Sequence, residues 1–348
     1  MEITEIAVDG YERVVRCRDE ASGLHALIAV HDTTLGPALG GMRMWPYASE
    51  DEALFDVLRL SKGMTYKSAV AETGLGGGKA VIIGDPRKDK SEALFVAMGR
   101  FIDQLEGKYI TAEDMNIGIP DLEHVSESTR WVTGLSKESG SSGNPSPYTA
   151  LGCVIGMRAV LEEACGDESF EGRKVVIQGV GAVGGRLAVM LKEKGAEVVI
   201  CDIDSERVAQ LAGEHGFEHV EDSIHLDIEC DIYSPCARGA GIDDETVPKL
   251  RCQAVAGAAN NQCLEPRHAE SLRQRGILYA PDFVLNAGGI INVGVELFEG
   301  GYDEVQALDR IDRIYTNLKR VFEISRSEEI PTNEAAFRLA EARLAAAR

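Results

Sequence analysis

The sequence predicts an α/β protein of two domains, and three observations lead to this. The chain has 348 residues, which is too long for one small core and suits two. From Lys174 to Asn286, short β-branched runs alternate with helical patterns, as expected for a parallel sheet with crossover helices. Residues 139–146 are rich in Gly, Ser, Asn and Pro, which is typical of a linker. We therefore predict a first domain over residues 1–135 and a second over residues 136–331.

The first domain alternates short apolar runs with helical patterns. Strands are predicted at Val14–Val15, Ala26–Val30, Ala80–Ile83 and Tyr109–Thr111, and helices from Ser49 onward and over Glu92–Leu105. Glu52 follows Ser49 by three residues, which is the spacing of a capping box at a helix N-terminus.

The second domain repeats a strand-helix unit. Strands are predicted at Lys174–Gln178, Glu197–Cys201, Ile232–Tyr233, Ala254–Val255 and Ile277–Tyr279. Before them, Ser146 is predicted to cap a helix with Pro147 at its first position, where a missing N–H costs nothing. After Pro331 an Ala-rich amphipathic helix over residues 332–348 is expected to pack back on the first domain.

Composition excludes several classes of partner. The formal net charge of −21 disfavours nucleic acids and anionic membranes, which bind clustered Lys and Arg. No apolar run approaches the roughly 18 residues of a membrane span. The N-terminus does not read as a signal peptide, and the eight cysteines include no CxxC pair, so we expect a reduced, cytoplasmic protein without a metal site.

A glycine-rich turn marks a nucleotide site in the second domain. The strand ending at Gln178 runs into a GxGxxG sequence: Gly179, Val180, Gly181, Ala182, Val183 and Gly184. Glycines at this spacing allow the backbone to approach a pyrophosphate at a helix N-terminus. The next strand is followed by Asp202, which is suited to bind a ribose 2′-hydroxyl and to repel a 2′-phosphate. The sequence therefore predicts a Rossmann-type, doubly wound domain that binds NAD rather than NADP.

Two lysines and one aspartate form a candidate chemical site in the first domain. Lys67 continues an apolar helical stripe formed by Ala53, Val57, Leu60 and Met64, although a lysine there could simply extend from a helix end towards water. Lys79 follows three glycines, which indicate either close backbone approach or a tight turn, and it opens the strand Ala80–Ile83. Asp114 follows the predicted strand Tyr109–Thr111. Burial of Lys79 would lower its pKa.

Eight motifs in the same order give the chain a family resemblance. They are HDTTLGPALGGMRMW, GMTYK, GLGGGKAVIIGDP, TAED, GSSGNPSP, QGVGAVGG, GAANNQ and APDFVLNAGGIINV. Together they resemble the leucine, valine and phenylalanine dehydrogenases, a branch of the glutamate dehydrogenase superfamily. The resemblance implies an active site in the cleft between a substrate domain and an NAD-binding domain, and a homo-oligomer. It also implies NAD-dependent conversion of an apolar L-amino acid to its 2-oxo acid and ammonia.

The resemblance assigns roles to individual positions. It implies that Lys67 binds the substrate α-carboxylate, that Lys79 is the catalytic base, and that Asp114 handles the amino or imino nitrogen. The backbone at Gly40 and Gly41 is expected to approach the substrate. Residues expected near the nicotinamide are Thr149, Asn261 and Asn286.

The family's side-chain pocket falls on apolar positions of this chain, namely Leu39, Ala112, Ile290 and Val293. A methyl group at Ala112, where enzymes for aromatic amino acids tend to have glycine, favours leucine or valine. Met115-Asn116-Ile117 is closer to the aromatic relatives, however, and Asn260 stands where leucine enzymes usually carry Asp. Phenylalanine or tryptophan dehydrogenase activity, and a non-catalytic cofactor-binding relative, are the alternatives.

Overall fold

The computed structural model describes residues 1–348, and the chain forms two compact units. The first unit comprises Met1–Asn144, Val293–Glu304 and Ala340–Arg348, and the second comprises Pro145–Asn292 and Val305–Leu339. The first change of unit, after Asn144, lies within the stretch whose composition indicates a linker. The boundary expected from the sequence lay earlier, between residues 135 and 136.

A six-stranded mixed sheet forms the first unit. Its elements are β1 (Glu2–Glu5), β2 (Arg13–Asp19), β3 (Leu24–Asp32), β4 (Ala38–Trp45), α1 (Glu50–Val70), β5 (Gly76–Ile83), α2 (Glu92–Asp103), β6 (Tyr109–Ala112) and α3 (Ile119–Ser126). The strand order is β1-β2-β3-β5-β4-β6. Strands β4, β5 and β6 run parallel, so their carboxyl ends meet at one edge of the sheet.

Helices cover both faces of this sheet, which explains why β3 and β5 are almost continuously buried. On one face α2 and α3 pack over a core that includes Ile28, Ile82 and Phe101. On the other face α1 packs over Leu27, Val81 and their neighbours. Any side chain on β5 therefore lies in a position with little access to water.

The N-terminus of α1 agrees in part with the predicted capping box. The Ser49 hydroxyl accepts a hydrogen bond of 3.1 Å from the Glu52 amide, as expected. The Glu52 carboxylate accepts its bond, of 2.7 Å, from the Ala48 amide rather than from Ser49. The reciprocal half of the box is thus displaced by one residue.

The predicted apolar stripe of α1 is only half correct. Ala53 and Val57 are buried, but Leu60, Met64 and Lys67 are only half-buried. The fully buried line continues instead through small residues, Ser61, Thr65 and Ser68. Small side chains there allow the helix to lie close to the glycines of β5.

A six-stranded parallel sheet forms the second unit; the parallel sheet was predicted, but with five strands and without β9. Its strands are β7 (Lys174–Gln178), β8 (Glu197–Cys201), β9 (Glu218–His219), β10 (Cys230–Pro235), β11 (Cys252–Val255) and β12 (Leu278–Tyr279). The strand order is β12-β11-β10-β7-β8-β9. The chain adds β8 and β9 on one side of β7 and then β10, β11 and β12 on the other, which is the doubly wound arrangement. The helices of this part of the chain are α4 (Ser146–Cys165), α5 (Gly184–Glu193), α6 (Ser205–His215), α7 (Arg267–Gln274) and α8 (Asp282–Leu285).

The predicted cap of α4 is wrong by one residue. The helix begins at Ser146, and Pro145 is its N-cap residue. The Thr149 amide donates the first helical hydrogen bond, of 3.0 Å, to the Pro145 carbonyl. Because Pro145 already has helical dihedral angles, Ser146 lies inside the first turn, where its side chain is not the cap.

Three helices complete the chain, α9 (Gly288–Val295), α10 (Glu304–Glu328) and α11 (Thr332–Ala347). Pro331 separates the last two, as predicted. Within the first unit, the end of α11 is fixed by Arg343, whose guanidinium donates a 2.6 Å hydrogen bond to the Val70 carbonyl. None of the helices combines the length and the apolar character that a membrane span requires.

Candidate active site

Lys79 and Asp114 meet beside the carboxyl end of β6. Lys79 lies in the middle of β5, whereas the sequence placed it before the strand. Asp114 lies two residues beyond β6, and β4 separates the two strands. The Lys79 ammonium forms an ion pair with Oδ2 of Asp114. The side chains of Lys79 and Asp114 are 7% and 24% exposed, so water reaches this pair chiefly from the aspartate side.

The surroundings shift the pKa of both groups downward. Burial lowers the pKa of Lys79; Asp114 opposes this shift, and the nearby Arg43 guanidinium adds to it. Burial alone would raise the pKa of Asp114, but the Lys79 and Arg43 cations outweigh burial and hold this pKa below its ordinary value. Asp114 is therefore a carboxylate at neutral pH, and Lys79 loses its proton more readily than an ordinary lysine.

Arg43, which the sequence analysis did not single out, is the second cation on Asp114. Its Nε donates a hydrogen bond of 3.2 Å to Oδ2 of Asp114, and its Nη1 lies 3.0 Å from Oδ2 of Asp56. Asp56, on the buried side of α1, also accepts bonds of 2.6 Å from Tyr47 and Arg59. A series of ion pairs therefore runs from Lys79 through Asp114 and Arg43 to Asp56 on α1.

The glycines around this pair permit close packing of backbone on backbone. A methyl group on Gly40 would lie 1.8 Å from the Gly78 carbonyl oxygen, and one on Gly41 would lie 2.3 Å from the Glu113 carbonyl oxygen. A methyl group on Gly77 would lie 2.1 Å from Thr65 of α1. The triple glycine is thus part of a strand that contacts α1, and the tight-turn alternative is excluded.

Lys67 lies in the last turn of α1 and is half-buried. One turn earlier, Met64 reaches the neighbourhood of Gly40, where an added methyl group would be 3.4 Å from its Cγ. The face of α1 that carries Lys67 is therefore next to the strand β4. The role of Lys67 on a substrate carboxylate stays a prediction.

The four side-chain-pocket candidates are all buried. Leu39 is 1% exposed and belongs to β4, where it is paired with Ile110 of β6. Ala112, at the end of β6, is paired with Gly41. Ile290 lies in the second unit and Val293, on the same helix α9, in the first. A methyl group on Gly134 would lie 3.8 Å from Val293, so that glycine is a further neighbour of the candidate pocket within the first unit.

The glycine-rich loop has the geometry that a nucleotide site requires. Gly179 has φ +97°, and a methyl group there would lie 2.6 Å from the Ala237 amide. A methyl group on Gly184 would lie 2.0 Å from the Gly179 carbonyl oxygen, so only glycine lets α5 start this close to β7. Gly181, by contrast, has open space beside it. Val180, Ala182 and Val183 complete the turn, and the backbone of Gly181 is open to a ligand at the N-terminus of α5.

Asp202 follows β8 and lies beside this loop. One carboxylate oxygen accepts a 2.8 Å hydrogen bond from the Val180 amide, and the other accepts one of 3.0 Å from the Asp204 amide. The strand and the glycine turn thus place the carboxylate at the mouth of the predicted nucleotide site.

The three residues expected near the nicotinamide lie in the second unit. The Thr149 hydroxyl donates to the Pro145 carbonyl at 3.1 Å, in the first turn of α4, and a methyl group on Gly289 would lie 2.6 Å from its oxygen. The Asn286 amide donates to Oδ1 of Asn260 at 2.7 Å. Asn261 has a left-handed backbone with φ +52°. The GAANNQ segment and the end of α8 are therefore joined through Asn260, the position where leucine enzymes usually carry Asp.

Two family models together match nearly the whole chain. The dimerisation domain of the Glu/Leu/Phe/Val dehydrogenases matches residues 11–131, and the Glutamate/Leucine/Phenylalanine/Valine dehydrogenase model matches residues 140–206 and 200–348. The chain belongs to this family. Dehydrogenases of this family depend on a nicotinamide cofactor, which agrees with the glycine-rich turn of the second unit.

Members of the family with different substrates are similar to the chain. A leucine dehydrogenase of Thermoactinomyces intermedius is 53% identical over 96% of this chain and 91% of its own length. A phenylalanine dehydrogenase of the same organism is 48% identical over 96% and 92%. The crystal structure of L-tryptophan dehydrogenase from Nostoc punctiforme matches with a TM-score of 0.85, 40% identity and 97% coverage of both chains.

Sequence reasoning missed Arg43 and Asp56 of this family member, although a signal was present. Arg43 is the only charged residue among the eight residues of β4, a strand that is otherwise buried except for Trp45 at its end. Asp56 directly precedes Val57 on the apolar face of α1. A charged residue inside each apolar pattern indicates a partner charge on a facing element, but the sequence does not say which one.

Proposed function

We propose that the protein catalyses the reversible NAD-dependent oxidative deamination of an apolar L-amino acid, with leucine or valine preferred. The observation that carries this proposal is the pair of buried Lys79 and half-buried Asp114, in which a lysine of lowered pKa contacts an ionised carboxylate. Perturbed acid–base pairs of this kind are typical of catalytic sites.

The proposed reaction consumes one amino acid, one NAD and one water, and yields a 2-oxo acid, ammonia, NADH and a proton. Bound NAD supplies the acceptor for the hydride that leaves Cα. The resulting iminium carbon is then attacked by water. The remaining steps are proton transfers and positioning, which fall to side chains of the first unit.

Lys79 in its neutral form would take a proton from the attacking water. Asp114, as a carboxylate, would take a proton from the substrate ammonium before the hydride leaves, and would return it to the nitrogen when the carbinolamine collapses to 2-oxo acid and ammonia; the hydroxyl proton goes to solvent. Lys67 would hold the α-carboxylate, and the backbone at Gly40 and Gly41 would border the substrate. The lowered pKa of Lys79 supports the first assignment, because a base must be unprotonated to act.

NAD is proposed over NADP on the basis of Asp202. A carboxylate beside the glycine-rich turn can bind the two ribose hydroxyls but repels a 2′-phosphate. The open space beside Gly181 leaves room for the pyrophosphate. Thr149, Asn261 and Asn286 are proposed to lie near the nicotinamide.

The preference for leucine or valine rests on the apolar, buried character of Leu39, Ala112, Ile290 and Val293. The higher identity to a leucine dehydrogenase than to the aromatic enzymes supports the same choice. Phenylalanine or tryptophan as the substrate is the competing proposal, and the sequence Met115-Asn116-Ile117 favours it. Oligomerisation with further copies of the chain and a cytoplasmic location, which the eight free cysteines suit, complete the proposal.

Ammonia-dependent oxidation of NADH tests this function directly. The purified chain should oxidise NADH with 4-methyl-2-oxopentanoate or 3-methyl-2-oxobutanoate, and more slowly with phenylpyruvate or indolepyruvate. Reactions without ammonia serve as the control for other NADH oxidation. NADH binding without turnover of any of the four acids would identify a non-catalytic relative instead.

A further inference from the structure

Asp114 is held by two cations rather than one. The Lys79 ammonium and Arg43 Nε both approach the same carboxylate oxygen, Oδ2. Lys79 comes from β5 and Arg43 from β4, so neighbouring strands fix the carboxylate from two directions. The loop that carries Asp114 is tied to the same strand, because the Asn116 amide donates a 3.0 Å bond to the Met44 carbonyl.

Arg43 is itself held by a second carboxylate, that of Asp56. Its Nη1 pairs with Asp56, and the side chains of Arg43 and Asp56 are 16% and 10% exposed. The pKa of Arg43 is raised: burial opposes this, but the carboxylates of Asp114 and Asp56 outweigh burial. Arg43 therefore stays charged, and its planar guanidinium can bond to the two carboxylates through separate N–H groups, which a lysine cannot reproduce.

We infer that Arg43 is a positioning residue, which orients Asp114 and, through its fixed charge, sets the pH range in which the Lys79–Asp114 pair is active. This rests on the proposed function of that pair. Arg43 is not assigned any contact with substrate or cofactor. Asp56 serves as the anchor that holds the guanidinium in place.

The charges around the pair predict the direction of the pH effect. The charged groups around Lys79 are Asp114, Arg43 and, at longer range, Asp56. Those around Asp114 are Lys79 and Arg43. The phenol of Tyr109 also interacts electrostatically with Asp114. A cation lowers the pKa of a neighbouring titratable group, because it disfavours protonation of that group. Loss of Arg43 therefore raises the pKa of both the amine and the carboxyl, and neutral Lys79 becomes available only at higher pH.

Arg43→Gln and Arg43→Lys, with Arg59→Gln as the matched control, test this inference. Arg59 pairs with the same Asp56, through Oδ1, but its side chain is 46% exposed. The readout is kcat and kcat/KM for oxidative deamination from pH 6 to 11, alongside the dissociation constant of NADH. In Arg43→Gln we expect kcat/KM at pH 8 to fall by about 10–100-fold, with the rising limb of the profile displaced to higher pH.

Arg43→Lys keeps the positive charge but cannot bond to Asp114 and Asp56 through separate N–H groups. Its pH profile of kcat/KM should therefore lie close to that of wild type, while its kcat stays low. Arg59→Gln should change kcat/KM by less than about threefold. NADH affinity should be unchanged in all three variants. A fall in activity with no displacement of the pH profile, or an equal loss in Arg59→Gln, would reduce Arg43 to a structural role.

A second measurement separates this inference from the proposed function. Carboxyl carbon NMR of aspartate-labelled protein, with Asp114→Asn to assign the signal, gives the pKa of Asp114 without any turnover. It should be higher in Arg43→Gln than in wild type. If the wild type deaminates no apolar amino acid, the proposed function fails while this measurement still decides whether Arg43 controls Asp114. If Arg43→Gln does not fold, Arg43→Lys decides: its retained charge should leave the pKa of Asp114 near that of wild type while kcat falls, and an unchanged kcat would overturn the inference.

Discussion

The carboxylate of Asp202 accepts a hydrogen bond of 2.8 Å from the backbone amide of Val180, which joins the end of one strand to the glycine-rich turn of its neighbour. This bond fixes the aspartate beside the glycine-rich turn. Under the proposed function the same carboxylate would also bind the adenosine ribose.

Replacement of Asp202 by Ser should weaken NAD binding and narrow the preference over NADP, because the 2′-phosphate no longer meets a carboxylate. The measurement is kcat/KM for both cofactors in wild type and variant. Asp204→Ser is a suitable control, since that residue caps α6 through the Arg207 amide. A wild type that already prefers NADPH would contradict the assignment of Asp202.

The parallel sheet, the glycine-rich turn and Asp202 were predictable because local sequence encodes them. Buried parallel strands appear as continuous β-branched runs, and a turn that needs glycine for space has few other solutions. Two predicted strands, Lys174–Gln178 and Glu197–Cys201, agree with β7 and β8 at both ends.

The strand β4 was not predicted from its periodicity. Gly40 and Gly41 interrupt the apolar run, and glycine has low strand propensity, so only their packing against Gly78 and Glu113 explains why they lie in a sheet. The helix α3 was missed as well. Ion pairs between strands, such as that between Arg43 and Asp114, depend on which strands become neighbours, and sequence patterns within one strand do not contain that information.

Lys79→Ala should lower kcat by about 10²–10⁴-fold, because the attacking water loses its base. NADH binding should survive, since the glycine-rich turn belongs to the other unit. Lys79→Met, which keeps most of the side-chain volume, separates loss of the amine from a cavity, and Lys108→Ala controls for loss of an exposed lysine. Stopped-flow and steady-state rates give the answer, and near-normal turnover in both Lys79 variants would remove this lysine from the mechanism.

Lys67→Ala should raise KM for the 2-oxo acid strongly, because the α-carboxylate loses its cation, and kcat should fall as well if the substrate tilts. Lys62→Ala is the matched control, since it lies on the same helix and is exposed. The comparison requires initial rates over a wide range of 2-oxo acid concentrations at saturating NADH and ammonia. An unchanged KM in Lys67→Ala would mean that this side chain only extends from the helix end into water.

The selectivity of the enzyme should depend on one methyl group at Ala112. This residue is 8% exposed, ends β6 and is paired with Gly41, two residues before Asp114. If Ala112 lines the side-chain pocket, branched aliphatic 2-oxo acids should be better substrates than phenylpyruvate, because a ring would meet the methyl group. Ala112→Gly removes it and should move the ratio of kcat/KM values towards phenylpyruvate.

A methyl-sized change in an apolar pocket is worth about 1–3 kcal/mol, which corresponds to roughly 10–200-fold in discrimination. Ala112→Val tests the opposite change: the added bulk should reduce kcat/KM for 4-methyl-2-oxopentanoate more than for the shorter 3-methyl-2-oxobutanoate. A panel of four 2-oxo acids on wild type and both variants decides the matter. If wild type prefers phenylpyruvate or indolepyruvate, the loop Met115-Asn116-Ile117 predicts selectivity better than Ala112 does. That loop is fixed to β4 by the bond from Asn116 to Met44, beside Arg43, so exchanging it would be the next variant to measure.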